Sequence, residues 1–342
     1  MKYNTKFADK NYLIQKNYTE EIKKLKIGIH IHLYYIDMID MFMKYLKDSP
    51  IEFDLFITIS KEENKDICFN EFNKLAKLKN IKIIIVENIG RDIAPWLIEC
   101  NNIQKNYDLF CHLHTKKSLH CDSINEWGEY LIENLISEEA INNILSNFIL
   151  DDNIGIISPH IYYHLFPYIL DIDKDDMYHI KLLLKKLNIN FEPKPENFVF
   201  PVGSMLWYRP KVLKPLFDLN LKYTDFPPEP IPNTGTIAHA IERIIGIICE
   251  QSNYKFKFYI NNNSYINNTF ALYDETADKY YIKKYLDKGK FKDIFIDYDI
   301  RVKRNIFNIL EIGSFSLFNL YLYGPNLVII LFGLKITFRI KK

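Results

Sequence analysis

The feature that most constrains the fold lies between Ile27 and Val86, where the apolar period switches back and forth over short links. Ile27–Tyr35 (IGIHIHLYY) alternates as a strand does, and Ile36–Lys47 (IDMIDMFMKYLK) carries its apolar residues at helical spacing. Phe53–Ser60 (FDLFITIS) reads as a second strand, and Ile67–Leu78 as a second helix with Phe69, Phe72, Leu75 and Leu78 on one face. Ile81–Val86 (IKIIIV) is nearly unbroken in apolar residues, the pattern of a parallel strand buried on both faces. A β-α-β-α-β order with such short links predicts a mostly parallel sheet flanked by helices, an α/β fold.

The pattern continues downstream. A helix is expected near Ala94–Cys100 with Pro95 in its first turn, then a strand at Tyr107–His112, helices around Ile124–Leu135 and Glu138–Asn147, and a strand at Ile154–Ser158. Residues 165–197 read as helix and then loop. Phe198–Tyr208 reads as a late strand pair or a bent strand. Val212–Leu216 begins a short helix, Thr236–Cys249 a longer one, and Phe256–Ile260 is a last core strand. The expected organisation is a polar, partly helical lead-in (1–26), one main domain (27–262), and a C-terminal helical and tail segment (263–342). Ile312–Leu334 has no charged residue and is long enough to cross a bilayer, but Gly324-Pro325 interrupts it and Asn319 and Asn326 fall inside it. A strand pair or an interfacial segment with basic flanks is the preferred reading of that stretch.

Composition narrows the function classes. Hydrophobic residues at 48% and charged residues at 25% are the balance of a folded globular chain. A formal net charge of +1 supplies no global field for nucleic acid, so any anion site must be local. Five cysteines, odd in number and without a CxxC, point to reduced thiols and a cytoplasmic protein. The N-terminal segment has no apolar core of the kind a signal peptide needs.

Four segments carry chemistry. Tyr107–Ser118 (YDLFCHLHTKKS) runs an apolar strand straight into His112, His114, Thr115, Lys116, Lys117 and Ser118. Ligands bind at the carboxyl ends of strands in open α/β sheets, and two adjacent lysines suit an anion, most simply a diphosphate. Glu87–Pro95 (ENIGRDIAP) follows the third strand. Asn88 and Gly90 suit a tight turn, Asp92 is placed to cap the next helix, and Arg91 is a fork for phosphate or carboxylate. A capped turn with a surface Arg–Asp pair explains the same residues. In Phe200–Arg209 (FPVGSMLWYR), Gly203 and Ser204 would let a ligand approach the backbone closely. In Gly235–Arg243 (GTIAHAIER), His239, Glu242 and Arg243 fall near one helix face, which could supply a general base from His239 or Glu242. A packed His239 beside a Glu242–Arg243 ion pair is the competing reading. The pairs His30/His32 and His112/His114 each share a strand face, and neighbouring strands could join them at a metal. Neither pair has a carboxylate or thiolate at ligand spacing, and the lysines would repel a cation, so no metal ligand is assigned.

Taken in order, YDLFCHLHTKKS, ENIGRDIAPWL, FPVGSMLWYRP and GTIAHAIERIIG resemble the rhamnan synthesis protein F family of bacteria, over roughly residues 27–260. The resemblance implies a GT-A-like, Rossmann-type glycosyltransferase with a nucleotide-sugar site at the strand ends. It would move a sugar, L-rhamnose among the candidates, from a nucleotide diphosphate sugar to a cell-surface polysaccharide or lipopolysaccharide acceptor. Related enzymes end the corresponding strand in Asp-x-Asp, which holds a divalent ion. Here His112-Leu113-His114 stands there, followed by Thr115, Lys116 and Lys117. Lysines would then offset the diphosphate charge, two ammoniums matching one Mg²⁺, and Mg²⁺ or Mn²⁺ is the less favoured alternative.

By the same resemblance, Asn88, Arg91, Asp92, His112, His114, Thr115, Lys116 and Lys117 would line the donor site, and Gly203 and Ser204 the acceptor site. Glu242, His239 and Glu229 are the ranked candidates for the base of an inverting transfer, with Asp225 behind them. Glu229 enters because the proline-rich loop FPPEPIPNT could close over a ligand. The implied acceptor is a lipid-linked glycan, and the implied place of work is the inner face of the membrane, peripherally bound. The alternative is a non-catalytic carbohydrate-binding or glycan-assembly protein that keeps the fold.

Overall fold

In the computed structural model the Ile27–Val86 alternation becomes one side of a nine-stranded sheet. The structure describes residues 4–9, 19–117, 126–162, 165, 174–190, 200–261, 291–297, 303–312, 315–323, 326–331 and 334–339; at 4–9, at 19 and 174, and from 291 onward, the backbone alone is described. The chain forms two compact units, Thr5–Asp297 and a second made of Met1–Asn4 with Tyr298–Lys342.

The strands of the main sheet are β1 (Asn4–Asp9), β2 (Ile27–His32), β3 (Phe53–Ile59), β4 (Leu78–Ile85), β5 (Leu109–His114), β6 (Ile154–Pro159), β7 (Leu206–Tyr208), β8 (Lys255–Asn261) and β9 (Phe291–Asp297). Their spatial order is β1-β9-β8-β6-β7-β5-β2-β3-β4. β4, β3, β2 and β5 are mutually parallel, as is the pair β6–β8. β7 runs antiparallel between β5 and β6, and β9 antiparallel to β8. The chain winds outward from β2 through β3 to β4, then returns to lay β5 on the other side of β2. That reversal leaves a crevice between the carboxyl ends of β2 and β5.

The helices are α1 (Thr19–Lys24), α2 (Ile39–Leu46), α3 (Lys65–Phe72), α4 (Ile93–Glu99), α5 (Trp127–Ile136), α6 (Glu138–Leu150), α7 (Lys174–Lys186), α8 (Pro210–Phe217) and α9 (Ile237–Gln251). Local chemistry sets their starts. Ser137 caps α6 by accepting the Ala140 N–H, Pro210 opens α8, and Thr236 and His239 form a reciprocal cap on α9. α9 packs on α7 and α4, which brings the late helix over the β4–α4 turn.

Three expectations need correction. The isoleucine-rich third strand is not buried on both faces: β4 is the outermost strand of its side, Ile85 is 38% exposed, and Lys79 and Lys82 face solvent. Lysines on an edge strand hinder further pairing. The second helix ends at Phe72, so Leu78 belongs to β4, and Phe69 points outward, 44% exposed. The C-terminal segment is not helical in its described residues. β10 (Lys303–Ile312), β11 (Phe315–Tyr323), β12 (Asn326–Leu331) and β13 (Leu334–Arg339) form an antiparallel four-stranded sheet in chain order. Gly324 and Pro325 lie outside the described residues. Among the described residues no helix is long and apolar enough to cross a membrane. Cys68, Cys100, Cys111 and Cys249 are buried free thiols, while Cys121, Ser118 and residues 191–199 lie outside the described residues.

Every residue of β2 is buried, the isoleucines on one face and Gly28, His30 and His32 on the other. Gly28 lies against the ring of Phe110 on β5: a Cβ there would fall 2.4 Å from Phe110 Cε2. Gly28→Ala is expected to destabilise the chain by about 1–3 kcal/mol through overpacking. Urea unfolding should show a lower midpoint at unchanged m-value, and an unchanged midpoint would mean that Phe110 can move aside.

Candidate functional site

A cleft of about 610 Å³ opens at the crevice between β2 and β5. His32, Tyr34 and Tyr35 reach it from the end of β2, and His114, Thr115, Lys116 and Lys117 from the end of β5. Asn88, Arg91 and Asp92 enter from the β4–α4 turn, Ser204 from before β7, Glu229 and Asn233 from the proline-rich loop, and His239 and Glu242 from α9. The four segments singled out in the sequence therefore converge on one place.

Its floor is a hydrogen-bonded chain of buried side chains. The sheet register sets His30 beside His112 and His32 beside His114. His32 Nδ1 lies 2.9 Å from Thr58 Oγ1, Thr58 Oγ1 lies 3.0 Å from His30 Nε2, and His30 Nδ1 lies 2.9 Å from His112 Nδ1. His112 Nε2 lies 3.4 Å from Asp92 Oδ2. An ionised carboxylate only accepts, so His112 Nε2–H donates to Asp92. With neutral rings the remaining protons then follow. His30 Nδ1–H donates to His112, Thr58 O–H donates to His30, and His32 Nδ1–H donates to Thr58. Burial holds all three rings neutral: it pushes His30 well below the ordinary imidazole range, His32 down to about 3 and His112 down to about 4. Trp96 stacks flat on His112 at 4.3 Å and donates its indole N–H to the Tyr208 hydroxyl, 3.0 Å away.

Asp92 does not cap α4. The helix starts directly after it, and its carboxylate turns inward to His112 instead. Burial by itself would raise its pKa, but His114, His112 and Lys116 overcome that and hold the carboxyl well below the usual range. Lys116 is buried against the Trp127 ring, Nζ 3.9 Å from its centroid. Burial lowers its pKa, and Glu242 and Asp92 pull it back up. Lys117, which also lines the cleft, forms an ion pair with Asp37 and lies over the Tyr35 ring. Thr115 is structural: its hydroxyl accepts the N–H groups of Tyr34 and Tyr35 at 2.9 and 3.1 Å.

Arg91 stands at φ +53°, a left-handed conformation rare for a residue with a side chain. That turn aims its guanidinium across the cleft, donating to Pro232 O at 3.0 Å and to His239 Nε2 at 3.3 Å. The proline-rich loop is tied to the same turn by a bridge between Ile89 and Pro228. Arg91 can only donate, so His239 Nε2 is the acceptor and the ring proton lies on Nδ1, which donates to Thr236 Oγ1 at 2.8 Å. Burial, then Arg91, pushes it down to about 4. Glu242 Oε1 accepts the Gly203 N–H at 2.7 Å, and Oε2 is 3.9 Å from Arg243 Nη1. Glu229 Oε2 accepts the Ile231 N–H at 3.0 Å, while its Oε1 is buried with no hydrogen-bond partner among the described residues.

Most of the sequence candidates meet here. His112 does not reach the cleft, since it is fully buried beneath Trp96. Asp225 closes a turn by accepting the Lys222 N–H and lies outside the cleft lining. Arg243 serves mainly Asp176, 3.2 Å away, rather than Glu242. Asp176 is a buried carboxylate of α7 that also accepts from Thr234 and from the Gly235 N–H at 2.8 Å, which fixes the entry to α9. Nothing local in KDDMYHIK distinguishes it, and Thr58, Trp127 and Asn233 were likewise silent in the sequence. Tyr34 and Tyr35, read as the end of the first strand, lie past it, since β2 ends at His32. Among the described residues no group of three or more His, Cys, Asp or Glu could hold a metal ion.

A family model described as rhamnan synthesis protein F matches residues 2–254. Among curated proteins, the chain is similar to the "Uncharacterized protein WxcX" of Xanthomonas campestris pv. campestris, strain B100, at 28% identity over 230 residues. The protein of that name in strain ATCC 33913 matches to the same extent. The matched stretch covers 66% of this chain and 31% of the relatives, so the chain spans about a third of their length.

The neutral histidine chain makes stability pH-dependent. Unfolded, the three rings titrate near 6.5; folded, they resist protonation until well below that. Between these limits the unfolded state binds more protons, so stability is full above about pH 6.5 and falls as pH drops toward 4, by up to about 1.4 kcal/mol per pH unit for each ring. Urea titrations across that range should show this slope. A flat profile would mean that the rings are already charged in the folded protein.

Proposed function

Because the chain belongs to the rhamnan synthesis protein F family, we propose that it is a GT-A-like glycosyltransferase acting in polysaccharide biosynthesis. It moves a hexose or deoxyhexose, L-rhamnose being the leading candidate, from a nucleoside diphosphate sugar to a surface-glycan acceptor. The observation that carries this reading is the convergence of Lys116, Arg91 and Glu242 on one cleft at the carboxyl ends of parallel strands.

Lys116 and Arg91 are the groups that meet the diphosphate. Lys116 is a desolvated cation at the strand end, and Arg91 is a fork whose present partners are two backbone carbonyls and a histidine. Glu242 is the base. Gly203 fixes one of its oxygens, and the other takes the proton of the acceptor hydroxyl as that oxygen bonds to the anomeric carbon. The bond from the anomeric carbon to the diphosphate oxygen breaks, and the nucleoside diphosphate leaves with the electron pair, inverting the centre. His239 has both ring nitrogens engaged and Glu229 keeps its free oxygen buried, so both rank behind Glu242. The end of β5 does not suit a divalent ion. The His112 and His114 ring nitrogens are hydrogen-bonded and Lys116 stands beside them, so no step runs through a metal. The acceptor is a lipid-linked glycan met at the cytoplasmic face of the membrane.

Lys116→Ala should weaken binding of a nucleoside diphosphate by roughly tenfold to a hundredfold, the worth of one charge-assisted hydrogen bond. Titration calorimetry on the folded variant reads this, and unchanged affinity would remove Lys116 from the diphosphate site. Glu242→Gln should abolish transfer while donor affinity stays. If transfer survives in Glu242→Gln and is lost in Glu229→Gln, the base is Glu229. Glycan binding without turnover on any nucleotide sugar would favour a non-catalytic glycan-assembly role.

A further inference from the structure

Four imidazoles of the cleft and its floor are kept neutral by their surroundings, and a fifth is placed differently. His114 projects from the end of β5 with Nδ1 3.0 Å from the carbonyl oxygen of Thr115 and Nε2 2.8 Å from the carbonyl oxygen of Gly203. Carbonyl oxygens only accept, so each bond requires an N–H on the ring. A neutral imidazole has one. Both bonds form only when the ring carries two protons and a positive charge. The residue is 6% exposed, so a bare ring nitrogen would face a carbonyl lone pair with little water to relieve it.

The neighbours suit a cation at this point. Asp92 Oδ2 lies 3.9 Å from His114 Nε2, and His114 is the group that does most to keep the Asp92 carboxyl ionised. The other facing groups are His112, stacked at 6.3 Å and neutral, His32, also neutral, and Lys116 on the strand's continuation. We infer that His114 is a resident imidazolium that clamps Gly203 and through it positions the Glu242 carboxylate.

The clamp has two contacts in series. His114 Nε2–H holds the Gly203 carbonyl, and the Gly203 N–H holds Glu242 Oε1 at 2.7 Å. Gly203 itself has little room to move. It sits at φ +97°, and a Cβ there would fall 2.7 Å from Leu131 Cδ1. Its backbone therefore transmits the position of the ring to the carboxylate. The backbone amide orients Oε1, while Oε2 has only the long 3.9 Å contact with Arg243 Nη1. The role of Glu242 as base rests on the glycosyltransferase reading; the charge on His114 does not.

The two parts are tested separately. In wild-type protein with ¹⁵N-labelled histidine, NMR at neutral pH should show one ring with protons on both nitrogens. Its closeness to Thr115 and Gly203 assigns it, so the readout needs no variant to fold. A bare nitrogen on His114 overturns the inference. For the second part, His114→Gln keeps a single donor without charge. It should lower kcat by about tenfold or more, with donor KM within about twofold, as loss of a positioning contact does. A kcat within about twofold of wild type overturns the clamp. If wild-type protein transfers sugar from no donor, the glycosyltransferase reading and the clamp's catalytic purpose fall together, and the NMR result alone decides the charge on His114.

Discussion

Asp92 enters the sheet from the β4–α4 turn, and a carboxylate buried there is tolerable only among donors. Its ionised form accepts and cannot donate, so the direction of every proton behind it is decided at one end. His112 must present Nε2–H, His30 must present Nδ1–H, Thr58 must turn its hydroxyl to His30, and His32 must give its Nδ1–H to Thr58. A row of interior polar groups that could have held several proton arrangements is reduced to one. The cleft floor is rigid for that reason as much as for the Trp96 stacking above it.

The same accounting distinguishes the two histidines that face the cleft from opposite walls. The Arg91 guanidinium donates to His239 Nε2, so a proton added at that nitrogen would be repelled. Carbonyl oxygens approach both nitrogens of His114, so a missing proton would leave one of them opposed. On the imidazolium inference, identical side chains within one pocket are set to different charge, one neutral and one positive, by the polarity of their partners.

Much of this was legible in the sequence, and the limits have physical causes. The β-α-β-α-β alternation identified the parallel sheet because period two and period 3.6 place apolar residues differently whatever the tertiary context. What periodicity could not report was position within the sheet. IKIIIV has the composition of a central strand and lies at the edge, because strand order depends on the crossovers and not on the strand. The C-terminal run of apolar residues was ambiguous for the same kind of reason, since length and hydropathy alone do not separate strands from helix. In the site, HLHTKKS, ENIGRD and GTIAHAIER were legible through residue types that carry chemistry. Asp176 and Thr58 were not, because their roles exist only through partners far away in the chain. Asp92 was noticed but read as a helix cap, the local use of an Asp before a helix, when the pairing with His112 on another strand prevails.

The two adjacent lysines have different partners within one cleft. Successive residues of an extended segment point to opposite sides. Lys116 packs on Trp127, while Lys117 pairs with Asp37 and lies over Tyr35, although both lysines line the cleft. Arg91 lines it as well, placed by a left-handed turn that follows Gly90. The cations thus come from different strand ends, and the sheet's reversal between β2 and β5 is what lets them overlook one crevice. Under the proposed reading, an anion there would meet cations from separate turns, which would constrain its orientation as well as offset its charge.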